Sequence, residues 1–336
     1  MDIGMDSLTN RFNCTPARLI LIGWLIGSPL LAAGAVQAAG LTFGILGKSL
    51  DDENFVDTWR ACATAAAVDG NECRQLSPAG PSHPRTQTLA LMKALSSKKY
   101  SALSVSVVNS RLIRHSLGRE ASIPLITFDS NFEATEQYLS SAYVGPDNIR
   151  FGRDLAIIAK RFKPNGGSLC VMTVQQEPNL MQRLTGIRRE LSGNNSFPED
   201  RQLRGENGWF EVDRCLWNAA DIQERALRQL DVTLKSIKPE VFITVGHWPI
   251  LDPEAYREAV NAYQTDIINE RIIMIGGVGK LTPERQALLD DHLLHGIVSI
   301  NFPEMGRQTY EVMKSVVNGE KVPYYQYTPL TVVMAD

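Results

Sequence analysis

Little in this 336-residue chain points to catalysis. It has no Gly-x-Ser-x-Gly nucleophile turn, no glycine-rich phosphate loop and no histidine pair at metal-ligand spacing. Its five histidines, His83, His115, His247, His292 and His295, are scattered. His292 and His295 stand beside Asp290 and Asp291 at a predicted helix end, where the helix dipole explains them more simply than a metal does. Neither sign of charge is in excess. Thirty-four basic residues against 37 acidic ones give a formal net charge of −3, which supplies no reason to expect nucleic acid or anionic lipid as a partner. Only five cysteines occur, none at zinc spacing. No internal repeat or low-complexity tract stands out, and no cofactor is implied. These absences leave a chain with 44% hydrophobic and 21% charged residues, a globular composition long enough for two α/β lobes.

What is present begins at the N-terminus. Arg11 and Arg18 precede an apolar run, Leu19–Leu31, and Val36-Gln37-Ala38 fits a small-x-small cleavage pattern. The pattern predicts a signal peptide over residues 1–38, cut after Ala38. The stretch Leu19–Val36 also approaches the length of a membrane span, so an uncleaved anchor is the alternative. No cysteine lies near the cut, so a lipid anchor there is not indicated. Export would place the mature chain in an oxidising compartment, where disulfides persist. Four cysteines remain after the cut, and four allow three connectivities. Cys62 falls on the first predicted helix and Cys73 opens the next strand. Cys170 and Cys215 fall on or beside two strands that would be neighbours in a doubly wound lobe. The expected pairs are Cys62–Cys73 and Cys170–Cys215; four buried free thiols are the alternative.

Beyond the leader, apolar strand runs alternate with helix-period segments. The strand candidates are Leu41–Leu46, Cys73–Leu76, Ala102–Val107, Leu125–Phe128, Ala142–Gly145 and Ser168–Val174, then Phe210–Arg214, Val241–Val245, Ile272–Gly276, Ile297–Ile300 and Thr328–Met334. That order predicts an α/β fold built on doubly wound parallel sheets. Pro84, Pro178, Pro253, Pro283 and Pro303 each fall where a first helical turn would begin, a position at which the missing N–H costs nothing. Glu254, Glu284 and Glu304 follow three of them, where an acid is favoured by the dipole. Ser192–Trp209 breaks the rhythm: it is rich in Gly, Asn, Pro and charge, and reads as a long surface loop held down by Trp209 and Phe210.

The stretch Leu125–Gly152 is the most informative. Two strand runs each end in a carboxylate, Asp129 and Asp147. In an open parallel sheet, ligands sit beyond the carboxyl ends of the strands. The segment YVGPDNIRFG resembles the YVG-x-DN-x-x-x-G crossover of type I periplasmic binding proteins, the ribose- and sugar-binding-like proteins of ABC transporters. The resemblance spans essentially the whole mature chain. It implies two lobes joined by a three-strand hinge: an N-terminal lobe of 41–145 plus 302–326, and a C-terminal lobe of 146–301 plus 327–336.

The same resemblance nominates ligand-binding residues. Leu41–Phe55 is similar to the first strand and following loop, where the family commonly shows Asn-Pro-Phe-Phe; Asp52, Glu53, Asn54 and Phe55 take those four places. Aromatic faces suit the apolar faces of sugar rings, and carboxylates and amides suit hydroxyls. Phe55 reads equally as core. Asp129 matches the family's ligand-reading Asp, with a helix N-cap as the alternative. Asp147 and Asn148 match crossover residues whose role is structural. Arg183 matches an Arg-x-x-Gly, but Met181 holds the place where some members put a ligand-reading Arg, so Arg183 reads either as a contact or as a brace. Trp217 falls near a family aromatic that stacks on the ligand, or is a core Trp. Gly246-His247, then Trp248, stand where the family often has Asn-Asp, and Gly277-Val278 where it often has Gly-Phe-Asp; His247 and Trp248 read as replacement contacts, with a solvated loop histidine as the alternative for His247. Asn301 takes the place of a ligand-reading Gln. On this register the pocket should be less acidic and more aromatic than a pentose or hexose site.

The implied function is periplasmic capture of a sugar, polyol or similar small molecule by hinge closure, for delivery to an inner-membrane ABC permease. The alternative keeps the fold and presents the closed form to a sensor kinase or chemoreceptor. Either role expects a monomer and no nucleic acid. A repressor core of the same fold is excluded by the predicted export signal and the missing DNA-binding head. An exported hydrolase would need a nucleophile and base near each other, and none is seen.

Overall fold

A computed structural model describes residues 40–118, 121–175 and 177–335. The predicted leader, residues 1–38, lies outside the described residues. The first stretch of chain forms β1 (Thr42–Leu46), α1 (Glu53–Val68), β2 (Glu72–Gln75), α2 (Pro84–Ser96), β3 (Ala102–Val105), α3 (Ser110–Leu117), β4 (Leu125–Phe128) and β5 (Ala142–Gly145). The second forms α4 (Asn148–Phe162), β6 (Gly167–Thr173), α5 (Pro178–Ser192), β7 (Arg204–Glu206), β8 (Trp209–Asn218), α6 (Gln223–Val232) and β9 (Val241–Thr244). It continues through α7 (Pro253–Val260), α8 (Gln264–Ile268), β10 (Ile273–Val278), α9 (Pro283–Asp290) and β11 (Gly296–Ile300). The chain ends with α10 (Phe302–Val317), β12 (Tyr325–Tyr327) and β13 (Leu330–Met334).

Two sheets result. The first has the order β12-β5-β4-β3-β1-β2, with every pairing parallel. The second has the order β13-β11-β10-β9-β6-β8-β7, parallel except for β13 and β7 at its two edges. The chain passes from the first sheet to the second after β5, returns after β11, and crosses once more between β12 and β13. Each sheet contains the same doubly wound unit, β2-β1-β3-β4-β5 in one and β8-β6-β9-β10-β11 in the other. In that order the chain reverses direction between the first and third strands of the unit, which opens a crevice at the carboxyl ends.

The central strands β3, β4, β5, β9 and β11 are buried throughout, as expected of parallel strands covered on both faces. All five prolines stand at the first or second position of α2, α5, α7, α9 and α10. Helices α4 and α5 touch at Gly152 and Gly186. A Cβ at either would overlap a backbone carbonyl, of Arg183 or Ile149 respectively, so the glycine of the Arg-x-x-Gly motif is required by this close crossing. Disulfides join Cys62 on α1 to Cys73 on β2, and Cys170 on β6 to Cys215 on β8.

Two elements depart from the sequence reading. The expected loop Ser192–Trp209 contains β7, which pairs antiparallel with β8 and widens the second sheet. Phe197, Leu203 and Trp209 bury this segment, whereas Phe210 is exposed. The three-residue β12 was not predicted; it forms by pairing with β5 at the edge of the first sheet.

Candidate functional site

The carboxyl ends of both sheets meet around one cavity of about 470 Å3, including solvent at its mouth. From the first sheet come Lys48 after β1, Asp52, Asn54 and Phe55 at the start of α1, and Asp129 after β4. From the second come Glu177, Asn179 and Arg183 at the start of α5, Asp221 after β8, His247 and Trp248 after β9, and Val278 and Gly279 at the end of β10. Ile300 and Phe302 close it where the chain returns toward α10.

The floor is a buried charge network. Asp129 has φ of 55°, a left-handed conformation that is uncommon for a residue other than glycine. Its carboxylate accepts from Ser106 Oγ at 2.9 Å and Asn179 Nδ2 at 3.3 Å, and lies 3.8 Å from both Lys48 Nζ and Arg183 Nη2. Lys48 Nζ donates across the cleft to Glu177 at 2.6 Å and to Asn179 Oδ1 at 3.0 Å. Glu177 also accepts from Ser82 Oγ at 3.0 Å. Burial disfavours charge on Glu177 and holds its carboxyl above the ordinary range, even against the pull of Lys48. Burial also opposes charge on Lys48, but the combined fields of Glu177 and Asp129 leave its ammonium more strongly protonated than usual. Arg183 is braced as well as exposed to the cavity. Its guanidinium donates to Asn148 Oδ1 and to the Val245 carbonyl, each at 2.8 Å, and lies 4.1 Å over the Phe151 ring.

Above the floor the two sheets touch again. Asn54 Nδ2 lies 3.0 Å from His247 Nδ1; the amide donates, so Nδ1 accepts and the ring proton is on Nε2. Nε2 lies 4.0 Å from Asp52 Oδ2. Asp52 also caps α1, accepting from the Asn54 backbone N–H at 2.9 Å. Burial raises its carboxyl above the ordinary range, and the charges of Asp221 and Asp129 add to that push while His247 opposes it. Asp221, with φ of 59°, accepts from Trp248 Nε1 at 2.7 Å and from the Ser82 N–H at 3.3 Å. Gly279 abuts the Asn54 amide so closely that a Cβ there would overlap it.

Of the residues nominated from sequence, Asp52, Asn54, Phe55, Asp129, Arg183 and His247 line this cavity. Phe55 is 6% exposed and also packs edge-on against Phe128 and Phe302, so its core and cavity readings both hold. Asp129 caps no helix, since β4 is followed by an irregular turn. Two nominated residues lie outside this cavity. Trp217 lies on β8 away from the cavity, its Nε1 donating to Thr233 Oγ1 at 2.7 Å. Asn301 is exposed and caps α10, accepting from the Glu304 N–H at 3.0 Å. Its neighbours Ile300 and Phe302 face the cavity instead. Four carboxylates line the cavity, because Glu177 and Asp221 enter from loops the register did not reach. Lys48, Glu177, Asn179 and Asp221 were not nominated. The one usable signal was position, since each follows a strand of the second sheet or, for Lys48, β1. His295 lies elsewhere, buried against Phe162, its Nδ1 accepting from the Met274 N–H at 3.0 Å. Among the described residues no group of His, Cys, Asp and Glu is placed to hold a metal, and no helix is long and apolar enough to cross a membrane.

A two-sheet α/β protein whose strand ends enclose one polar cavity is built to bind a small molecule. A family profile described as a periplasmic binding protein domain matches residues 43–321, and the chain belongs to that family, with the type I fold. It is a family of binding proteins and not of enzymes. A search of curated proteins finds no match. Among solved structures, the chain is similar to GanP, a glucose-galactose binding protein from Geobacillus stearothermophilus, at 16% identity and a TM-score of 0.71, covering 88% of this chain and 98% of that one. It is similar to an ABC transporter solute binding protein from Agrobacterium vitis with bound D-fucose, at 15% identity and a TM-score of 0.72, covering 87% and 95%. It is also similar to a chain of the XylFII–LytSN complex, at 16% identity and a TM-score of 0.68, covering 88% and 98%.

Proposed function

We propose that this chain is an exported solute-binding protein that captures a sugar or sugar-like molecule by hinge closure and delivers it to an inner-membrane ABC importer. The observation that carries the reading is the cavity itself. It lies at the carboxyl ends of two equivalent sheets, and side chains from both meet over it, Lys48 with Glu177 and Asn54 with His247. In this reading the lobes are residues 41–145 plus 302–326 and residues 146–301 plus 327–336. The three crossings between sheets are the hinge, and residues 1–38 are the export signal. Asp52, Asn54, Phe55, Asp129, Arg183 and His247 contact the ligand, joined by Lys48, Asn179, Asp221 and Trp248. Ligand favours closure through contacts that only the closed form makes. The protein acts as a monomer and uses no cofactor.

A second reading has one observation in its favour. A neighbour of the same fold is solved in complex with another protein, LytSN. On that reading the closed form is presented to a membrane sensor in place of a permease.

The test is a thermal-shift screen of the purified mature protein against sugars, polyols and amino sugars, followed by small-angle scattering of each hit. A ligand that binds only the folded state raises the melting temperature by mass action. The reading expects at least one hit that also compacts the protein. A panel with no hit, or hits without compaction, overturns it.

A further inference from the structure

The cavity carries more negative charge than its own cations neutralise. Four carboxylates line it, Asp52, Asp129, Glu177 and Asp221, against two fixed cations, Lys48 and Arg183. Both cations are engaged on the floor. Lys48 pairs with Glu177 at 2.6 Å and lies 3.8 Å from Asp129; Arg183 lies 3.8 Å from Asp129 and bonds to Asn148 and Val245. Asp52 and Asp221 are left with neutral donors only: the Asn54 N–H for one, the Trp248 indole and Ser82 N–H for the other. The Arg285 guanidinium also feels Asp52, but it donates to the backbone carbonyls of Ile250, Leu251 and Lys280. His247 Nε2 stands 4.0 Å from Asp52, beyond hydrogen-bond distance, and offsets that carboxylate only in its charged form.

These two carboxylates face a second compartment. It measures about 690 Å3 with its mouth, and shares Asp52, Asp221, His247 and Trp248 with the first. Asp51 and Glu53 add to its lining, and neither Lys nor Arg contributes. The Trp248 ring forms part of the wall, and an aromatic face attracts a cation as well as a sugar ring. The cavity does not depend on this charge for its existence, since it is set by the strand ends of both sheets. The charge decides what fits.

We propose that the ligand carries a protonated amine, and that it is an amino sugar whose ammonium sits between Asp52 and Asp221 beside Trp248. This rests on the sugar-capture reading and narrows its substrate class. Each carboxylate accepts an N–H from the ammonium, and the ring hydroxyls remain for Asn54, Asn179 and Lys48. A neutral sugar gives this pair hydroxyl donors but no counter-charge.

Titration calorimetry on the mature protein at neutral pH tests this with D-glucosamine, D-galactosamine and D-mannosamine against their N-acetylated forms and the parent neutral sugars. The expected result is that one amine binds roughly tenfold or more tighter than both of its neutral counterparts, since a charge-assisted bond outweighs a neutral one by about that much. Added salt weakens the amine and leaves the neutral sugars unchanged. Asp52→Asn and Asp221→Asn are isosteric; Asn keeps the α1 cap at the first position and tolerates the left-handed backbone at the second, so both variants keep the fold. Each is expected to abolish the preference for the amine, so that its affinity falls to that of its neutral counterparts in the same variant. If a neutral sugar binds and compacts the protein as well as its amine does, the amine assignment falls and the capture reading stands. If the amine preference survives in both variants, or is insensitive to salt in the parent protein, the assignment to Asp52 and Asp221 falls. If no sugar of either kind binds, both readings fall together.

Discussion

The two walls of the cleft are built differently. On the wall from the first sheet, the cavity residues follow their strands almost at once: Lys48 is two residues past β1 and Asp129 one past β4, with Asp52–Phe55 at the start of α1. Asp52 itself lies six residues past β1, and on the wall from the second sheet the spacings are no greater, but the backbone leading to one carboxylate is left-handed. Glu177 lies four residues beyond β6, and Asp221 is reached through two successive left-handed residues, Ala220 and Asp221. Strand-end positions keep a register that a sequence can reveal. Loop positions are chosen by the tertiary packing around them. The first wall holds the cation Lys48, the amide Asn54 and the carboxylates Asp52 and Asp129; the second holds the cation Arg183, Asn179 and His247, and the carboxylates Glu177 and Asp221, which only folding brings in.

The comparison is broken most strongly at the brace of the second wall. Replacing Arg183 with Met strands Asp129, Asn148 and the Val245 carbonyl without their cation; the expected loss is about 3–5 kcal/mol of stability by chemical denaturation. Asn54→Ala on the first wall should cost less than about 1 kcal/mol, because its amide bond to His247 is neutral and half exposed. Equal losses would show that the walls are equally load-sharing.

The disulfides sharpen the contrast next. Cys170 and Cys215 are 45 residues apart and Cys62 and Cys73 are 11 apart. By chain entropy, removing the first pair with Ala at both positions costs about 4 kcal/mol and removing the second about 3 kcal/mol. The reverse order in melting measurements would mean that native packing, and not the closed loop, sets their value.

The response to acid differs in sign between the cleft and the second sheet. Burial lowers His295 from its ordinary 6.5 to about 4, so the folded state holds the neutral ring. Its contribution is complete above pH 6.5 and is lost as pH falls toward about 4, a loss of about 3 kcal/mol at about 1.4 kcal/mol per unit. Glu177 and Asp52 are raised, so their contribution is complete at low pH and is lost as pH rises through their folded values. Denaturation at pH 6.5 and pH 4.5 should therefore show His295→Asn flattening the acid loss and Glu177→Gln steepening it. A His295→Asn variant with an unchanged slope would remove this assignment.

The smallest effect is on affinity for whichever ligand the screen identifies. Trp248→Ala should weaken binding roughly tenfold, as expected for a lost ring face. Trp217→Phe should leave it unchanged, because that indole is held by Thr233 outside the cavity.

Much of the fold was legible because its signals are local. Leu125–Phe128 and Ala142–Gly145 are strands at the bounds read from sequence, and each proline opens its helix. Such signals are backbone preferences and apolar periods, which act within a few residues. Three-residue strands such as β7 and β12 carry no period and exist because an edge was available to pair with. At the site, the Asp129 and Asp52–Phe55 positions were readable from a strand followed by a carboxylate or a helix start. Trp217 and Asn301 misled for the same reason: each sits beside the right strand, but side-chain direction is settled by a partner elsewhere, Thr233 for one and the α10 backbone for the other.

The sequence by itself determined the alternating array, the parallel sheets and the Asp52–Phe55 and Asp129 positions of the first wall, since these follow from residue preferences over short spans. The tertiary structure alone decided that Lys48 meets Glu177 across 129 residues, that Asp221 turns into the cavity, and that Asp52 and Asp221 share one compartment. Those outcomes are electrostatic contacts between distant segments, and their strength comes from burial that exists only once both sheets are in place.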